Sequence, residues 1–262
     1  QSTKLFQYAR AARYAYNWAL EREQENYKNG GKFISDGDLR KEFTQLKRTE
    51  ECAWLNNISN NVTKQAIKDA CEAYKDFFKG YTKFPRFKSK KHSVPKFYQD
   101  NVKIQFTDTH VKVEGFATSK KKNKQKLNWI RLAEHGRIPT DCKYFNPRFK
   151  YDELNWYISV GIEYEHSNTF PSNDAIGIDL GIKDLAICSD GNTHKNINKT
   201  QKVKKLEKRK RRLQRSISKR YENNKKGESY CKTSNIIKSE KELLKLNHRL
   251  TNIRKNYLHQ IT

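Results

Sequence analysis

The hydrophobic period of this chain changes once, at Pro85, and that change sets the kind of fold open to it. Before Pro85 the apolar residues recur at three and four positions. Leu5, Tyr8, Ala9, Ala12, Tyr16, Ala19 and Leu20 form one stripe, which reads as a helix running to the break at Asn29 to Gly31. Ser35 with Asp38 three residues on predicts a capped start ahead of Leu39, Phe43 and Leu46. A third helix is predicted from Ser59 or Asn60, presenting Val62, Ala66, Ala70, Ala73, Tyr74, Phe77 and Phe78 and ending at Gly80. After Pro85 the period is two. Val102, Ile104 and Phe106 alternate with polar residues, Val111 and Val113 follow, and Leu127, Trp129, Ile130 and Leu132 suggest a further strand. Trp156, Ile158, Val160, Ile162 and Tyr164 share one face of the clearest strand. Residues 1–84 are therefore expected to be a helical bundle, and residues 85–171 a small antiparallel sheet or barrel.

The stretch Asn168 to Asn173 reads as a linker into a third region, 172–262. That region opens with a hairpin-like pair, Ala175 to Leu180 and Leu185 to Ser189, and Ser189-Asp190-Gly191-Asn192 is the next turn. Two long helices follow within 199–261. Val203, Leu206, Leu213 and Ile217 on the first, with Ile236, Leu243, Leu246, Leu250, Ile253 and Tyr257 on the second, suit an antiparallel pair joined around Asn223 to Gly227.

Charge narrows the partners. Lys and Arg number 55 against 29 Asp and Glu, a net +26, which argues for a polyanion and against an ordinary enzyme of neutral substrates. From Lys199 to Lys226 there are 14 basic residues against Glu207 and Glu222. Like charges at i, i+4 cost a few tenths of a kcal/mol each without a counter-ion, and a phosphate backbone supplies one. The candidate contacts there are Lys204, Lys205, Lys208, Arg209, Arg211, Arg212 and Arg215. A second block, Lys79 to Lys96, holds seven basic and no acidic residues between Tyr81, Phe84, Phe87 and Phe97, with Arg86, Lys88, Lys90 and Lys91 as candidate contacts. Phe84 and Phe87 suit base stacking or a core at a domain junction, and both readings stand at this stage. A third block, Lys120 to Lys126, reads as a loop tip. No apolar run approaches the roughly 18 residues of a membrane span and no signal-peptide layout opens the chain, so a cytosolic protein without a membrane partner is expected. Five cysteines form no CxxC pair and seven histidines form no metal-spaced pair, so no zinc site is expected in this stretch. The sequence contains no Met, and an internal piece of a longer protein is expected.

The sharpest local motif runs from Ile176 to Ala186. Alternation places Ile176, Ile178 and Leu180 on a buried face and Gly177 and Asp179 on the other, while Gly181 permits a sharp departure. A carboxylate held on a strand beside open space is how a nuclease positions a divalent-cation ligand. On spacing alone the plainer reading is a turn-proximal aspartate, and one carboxylate does not make a two-metal site.

These residues resemble a known family. Ile176 to Gly191 looks like the first RuvC motif of the TnpB/OrfB proteins of IS200/IS605-type transposons, relatives of the Cas12 effectors. Trp54-Leu55 with Ser59, Gln65-Ala66, Ala73 and Phe77-Phe78 resembles the family's helical recognition region. Phe84-Pro85-Arg86-Phe87-Lys88 resembles its basic segment, Trp156-Tyr157 to Glu163 its last barrel strand, and the helical pair ending Arg254 to His259 its helices after the first motif. The resemblance implies an α+β multidomain chain: a helical recognition bundle (1–84), a small antiparallel wedge-type β-barrel (85–171), then the start of an RNase H-like (RuvC) domain. It implies RNA-guided, Mg²⁺-dependent cleavage of DNA, with a guide RNA and double-stranded target DNA as partners. Asp179 matches the first of three magnesium-holding acids. The other two, and the cysteines of a zinc ribbon, would lie beyond Thr262, because Glu228, Glu240 and Glu242 do not match them. The alternative is a nuclease-inactive or truncated relative that binds RNA or DNA as a repressor. A generic RNA-binding protein accounts for the charge but not for the ordered landmarks.

Overall fold

The computed structural model describes residues 1–116, 126–163, 175–227 and 229–261, in two units, Gln1–Glu165 and His166–Thr262. The expected loop tip falls, through residue 125, outside the described residues, as do the linker Asn168 to Asn173, Tyr164 and Glu228.

Small residues decide how the first unit packs. Helix α1 (Ser2–Lys28) buries Leu5, Tyr8, Ala9, Ala12, Ala15, Ala19 and Leu20, and α3 (Asn60–Phe78) buries Val62, Ala66, Ile67, Ala70 and Tyr74. Alanine on both faces lets the two backbones approach closely. Between them, α2 (Asp36–Leu46) contributes Leu39 and Phe43. Its start is the expected one: Ser35 Oγ accepts the Asp38 N–H at 3.2 Å and donates to the Asp38 carboxylate at 2.7 Å. Ser59 caps α3 in the same way, through the Asn61 N–H at 3.3 Å.

Six strands complete the unit: β1 (Lys96–Tyr98), β2 (Gln105–Phe106), β3 (His110–Lys112), β4 (Trp129–Arg131), β5 (Tyr144–Tyr151) and β6 (Trp156–Ile162). They pair antiparallel in the orders β1-β5-β6 and β2-β3-β4, and among the described residues these two sheets do not close into a barrel. Helices and sheets share one core. Tyr8 is wholly buried, edge-on to Phe97 at 5.4 Å and to Phe116 at 5.1 Å, and its hydroxyl donates to the Glu114 carbonyl at 2.8 Å. Burial pushes the Tyr8 phenol up to about 12. Gly115, at φ +76°, leaves room for that ring, because a Cβ there would stand 2.5 Å from the hydroxyl.

One expected strand starts later than its period suggests, and one strand leaves no period to read. The strand expected through Val102 begins only at Gln105, and Val102 is 88% exposed. The cause is local: Asp100 Oδ1 accepts the N–H groups of Val102 and Lys103 at 3.0 and 3.2 Å, an Asx-type turn that competes with strand pairing. The eight-residue β5 carries no clear period because Pro147 interrupts it and Asn146 adopts φ 45° at an irregularity between Phe145 and Arg148.

Arg148 on β5 ties the sheet to α3. Its guanidinium donates to both carboxylate oxygens of Asp69 at 2.8 and 3.0 Å. Burial works to raise the Asp69 carboxyl, but hydrogen bonds from Arg148 and Gln65 overcome it and hold it below the usual carboxylate range. Arg148→Met is therefore expected to cost about 2 kcal/mol at pH 7, below the 3–5 kcal/mol of a fully buried pair because both side chains retain some exposure. A carboxyl lowered on folding stabilises above its unfolded value of about 3.9 and loses that contribution as pH falls through the folded value. Urea unfolding should accordingly show a smaller difference between variant and wild type at pH 3 than at pH 7; an equal difference at both would contradict the account.

In the second unit, β7 (Ile178–Leu180), β8 (Asp184–Cys188) and β9 (Thr193–Lys195) form an antiparallel sheet in that order, with Gly191 at φ +87° in the expected turn. Helices α4 (Gln201–Asn223) and α5 (Ser234–Ile261) follow, joined by the two-residue strands β10 (Lys225–Lys226) and β11 (Ser229–Tyr230). Val203 and Ile217 of α4 and Ile236, Leu246 and Leu250 of α5 are buried along the expected seam.

Candidate nucleic-acid interface and metal-ligand position

The seam orients the charge. At about 100° per residue, Lys204, Lys205, Lys208, Arg211, Arg212 and Arg215 fall on the face of α4 away from the seam of Val203, Leu206, Leu213 and Ile217, and all six are exposed. Arg209 differs. It lies on the flank and forms an ion pair with Glu242 of α5, so it is engaged within the helical pair. Arg254 of α5 donates to Asn198 Oδ1, in the turn between β9 and α4, and to Glu207 of α4, each at 2.9 Å. Tyr257 adds a hydrogen bond to the Lys195 carbonyl at the end of β9. The three-stranded sheet is thus fastened to the basic helical pair within one unit.

Asp179 is the central residue of β7, opposite Ile187, and it is exposed. The hairpin is closed at its open end by Ser189, whose N–H donates to the Gly177 carbonyl at 2.9 Å and whose Oγ accepts the Gly177 N–H at 3.0 Å. At the other end a Cβ on Gly181 would come within 3.0 Å of the Asp184 carbonyl, which explains glycine at the departure from the strand. The expected buried face is corrected: Ile176, Ile178 and Leu180 are 57, 62 and 76% exposed. Alternation states which side chains share a face, not whether another element covers it. A carboxylate oxygen is a hard donor that suits Mg²⁺. Among the described residues no group of three His, Cys, Asp or Glu side chains is placed to hold a metal.

In the first unit the segment after Pro85 is docked on α1 through its main chain. Asn17 Oδ1 accepts the Lys88 N–H at 2.8 Å and Asn17 Nδ2 donates to the Lys88 carbonyl at 2.9 Å, as a neighbouring strand would. The Lys88 ammonium lies over the Tyr16 ring, 3.0 Å from its centroid. Burial, reinforced by Lys96, pulls that ammonium down to about 7. Arg86, Lys90 and Lys91 are exposed. Phe84 and Phe87 are 49 and 52% exposed, which favours a surface role for both over a core role; Phe84 stands edge-on to Phe77 at 5.2 Å. Sequence reading missed Arg148 and Lys150, because β5 itself was not legible. The alternation Lys96-x-Tyr98 facing Arg148-x-Lys150 is the signal that finds them once the pairing is known.

Comparison with known families settles the relationship. Residues 158–262 match the OrfB_IS605 family, described as "Probable transposase", and residues 1–32 match its companion, described as "Helix-turn-helix domain". The chain belongs to the OrfB transposase family. Among curated proteins, this OrfB-family chain is 30% identical over 264 residues to one named "Putative RNA-guided DNA endonuclease InsQ" from Escherichia coli (strain K12), covering all of the chain and 59% of that protein. It is 24% identical over 262 residues to a "Putative RNA-guided DNA endonuclease" from Streptomyces pristinaespiralis, covering 60% of it. The OrfB chain thus spans about 60% of the length of the curated relatives it matches. Residues 1–32 of this family member hold one long helix, α1, and the turn that ends it; the next helix begins at Asp36. No helix among its described residues is long and apolar enough to cross a membrane.

Proposed function

We propose that the protein is an RNA-guided DNA endonuclease of transposon origin, acting in the cytoplasm on double-stranded DNA, and that this chain supplies its nucleic-acid-binding body and one ligand for Mg²⁺. The observation that carries the reading is the joining, within one unit, of an exposed strand carboxylate to a helix with an exposed face of six cations. The names of both curated relatives support it. On this reading the first unit combines a helical recognition region with a wedge-type sheet domain, and the second begins an RNase H-like fold of the RuvC kind.

The chain's own residues have distinct tasks. The α4 face neutralises phosphates and tracks the backbone without reading sequence, which base pairing with the guide RNA does. Tyr257 ties β9, and through it the sheet that carries Asp179, to the helical pair, so that Asp179 keeps a constant position relative to bound nucleic acid. Asp179 provides an oxygen ligand from a rigid strand, and the remaining acids of the site would come from elsewhere in the intact protein. Bound Mg²⁺ supplies activation of water and stabilisation of the leaving oxygen.

The test is cleavage of a plasmid by the intact protein purified with its own RNA. Linear product is expected with Mg²⁺ and a target matching the RNA, and none with a chelator or an unmatched target. Cleavage that ignores the match would overturn the guided reading.

A further inference from the structure

The first unit contains a cleft of about 1070 Å³ between α1, the segment after Pro85 and the β1-β5-β6 sheet. The sheet face that lines it is set by register. Phe97 and Phe149 are cross-strand partners, stacked at 5.0 Å in the core, so the neighbours on either side of each point the other way. Those neighbours are Lys96 opposite Lys150 and Tyr98 opposite Arg148. Like charges directly opposite on an antiparallel pair are destabilising. Arg148 is committed to Asp69, whereas Lys88, Lys96 and Lys150 take part in none of the ion pairs among the described residues. Three unpaired ammonium groups therefore line one concave surface, with Tyr98 beside them and Arg13 on the α1 wall. The cations of the cleft outnumber its acids, Asp69, Asp152 and Glu153.

We propose that this cleft seats a phosphodiester of a single-stranded nucleic acid, held by Lys88, Lys96 and Lys150, with Tyr98 available to its base or sugar. The inference rests on the nucleic-acid-binding reading above and deepens it. Size selects the form of the ligand: the cleft lies at the upper end of small-molecule pockets of about 300–1,000 Å³, which admits one or two nucleotides and excludes a duplex. The Asp69–Arg148 pair helps form the site without competing for it, since the Asp69 carboxylate is already taken on both oxygens. Asp152 and Glu153 also line the cleft, so its charge is mixed at that end and cationic at the Lys88 end.

The seat carries its own signature. Lys88 faces Tyr16 of α1, Asp69 of α3, Lys96 of β1 and Arg148 of β5, with His92 further along its own segment. Desolvation and the Lys96 charge leave its ammonium titrating near 7, so about half the free protein is uncharged there at neutral pH. A phosphate favours the ammonium, so binding takes up a proton and affinity falls as pH rises through 7. One proton retained in the complex corresponds to about a 30-fold loss of affinity between pH 6 and 8.5.

The experiment uses the full-length protein stripped of co-purified RNA, without Mg²⁺, and fluorescein-labelled ten-nucleotide single strands of RNA and of DNA. Lys88→Gln should weaken binding about tenfold at pH 6.5, lower the salt slope by about 0.7 and remove most of the pH dependence. Lys88→Arg should keep the affinity and still lose the pH dependence, a combination that a purely structural role does not produce. Lys96→Gln, on an exposed strand position, should weaken binding with the fold intact. The strand whose affinity responds more, RNA or DNA, is the occupant. Unchanged affinity, salt slope and pH dependence in both Lys88→Gln and Lys96→Gln would overturn the seat. The two readings fail separately: loss of guided cleavage with this signature intact sinks the nuclease alone, and guided cleavage without the signature sinks the seat alone.

Discussion

Asp179→Ala in the intact protein is expected to lower Mg²⁺-dependent DNA cleavage about a thousandfold or more, leaving the amount of RNA retained on purification unchanged. Three factors of ten correspond to about 4 kcal/mol of lost transition-state stabilisation, a reasonable loss for a group that touches the metal when even outer-shell partners of a ligand cost 10–100-fold. The two readouts separate because Asp179 is exposed on β7, and surface substitutions away from packing stay within about 0.5 kcal/mol of wild-type stability. A turn-proximal aspartate with no metal predicts the opposite pattern, full cleavage and at most a slight change in melting temperature. Asp179→Cys sharpens the choice. A thiolate is a poor ligand for Mg²⁺ and a better one for softer divalent ions, so this variant should be inactive in Mg²⁺ and partly restored by Mn²⁺. Equal activity of Asp179→Cys in both ions would remove Asp179 from the metal's ligands.

How far the sequence reveals such a site depends on which physical signal each element leaves. The helical stripes of α1 and α3 were legible because many residues repeat one period, and the starts of α2 and α3 were legible because Ser35 and Ser59 cap them with their own side chains. The seam of α4 and α5 was legible for the same reason. The β7–β8 hairpin was located from alternation and a Gly-containing turn, yet the fate of its apolar face was not, since Ile178 and Leu180 say nothing of what covers them. Strand β5 was lost because a strand interrupted by Pro147 and a residue at positive φ has no period to read. With it went Arg148 and Lys150, so a charge block legible as a list of lysines could not be resolved into a cleft. Lys88 shows the limit most clearly. Its place in the basic block was plain, but its docking by Asn17 joins residues 71 positions apart, and no local pattern encodes that.

Replacing Lys204, Lys205, Lys208, Arg211, Arg212 and Arg215 together by Gln should weaken RNA binding by the intact protein about a thousandfold at 0.15 M salt. Each phosphate contact on a single strand contributes roughly 0.7 to the slope of log affinity against log salt. Six contacts therefore account for a slope change of about 4, which at 0.15 M amounts to between three and four factors of ten. The fold should tolerate the change, because Gln is about as good a helix former as Lys or Arg and the seam residues Val203 and Ile217 are untouched. Stability should in fact rise. Lys204 and Lys208, Lys208 and Arg212, and Arg211 and Arg215 are like-charged neighbours at i, i+4, each costing a few tenths of a kcal/mol in the free protein. The expected outcome is thus two-sided: weaker binding with a flatter salt dependence, and a melting temperature of the RNA-free protein raised by a few degrees. Arg209→Gln is the internal contrast. Arg209 is paired with Glu242, so its loss should leave the slope nearly unchanged and lower the melting temperature slightly. A sixfold variant with the wild-type slope would mean that the cations of α4 face solvent alone, and that the polyanion implied by a net charge of +26 lies on another surface.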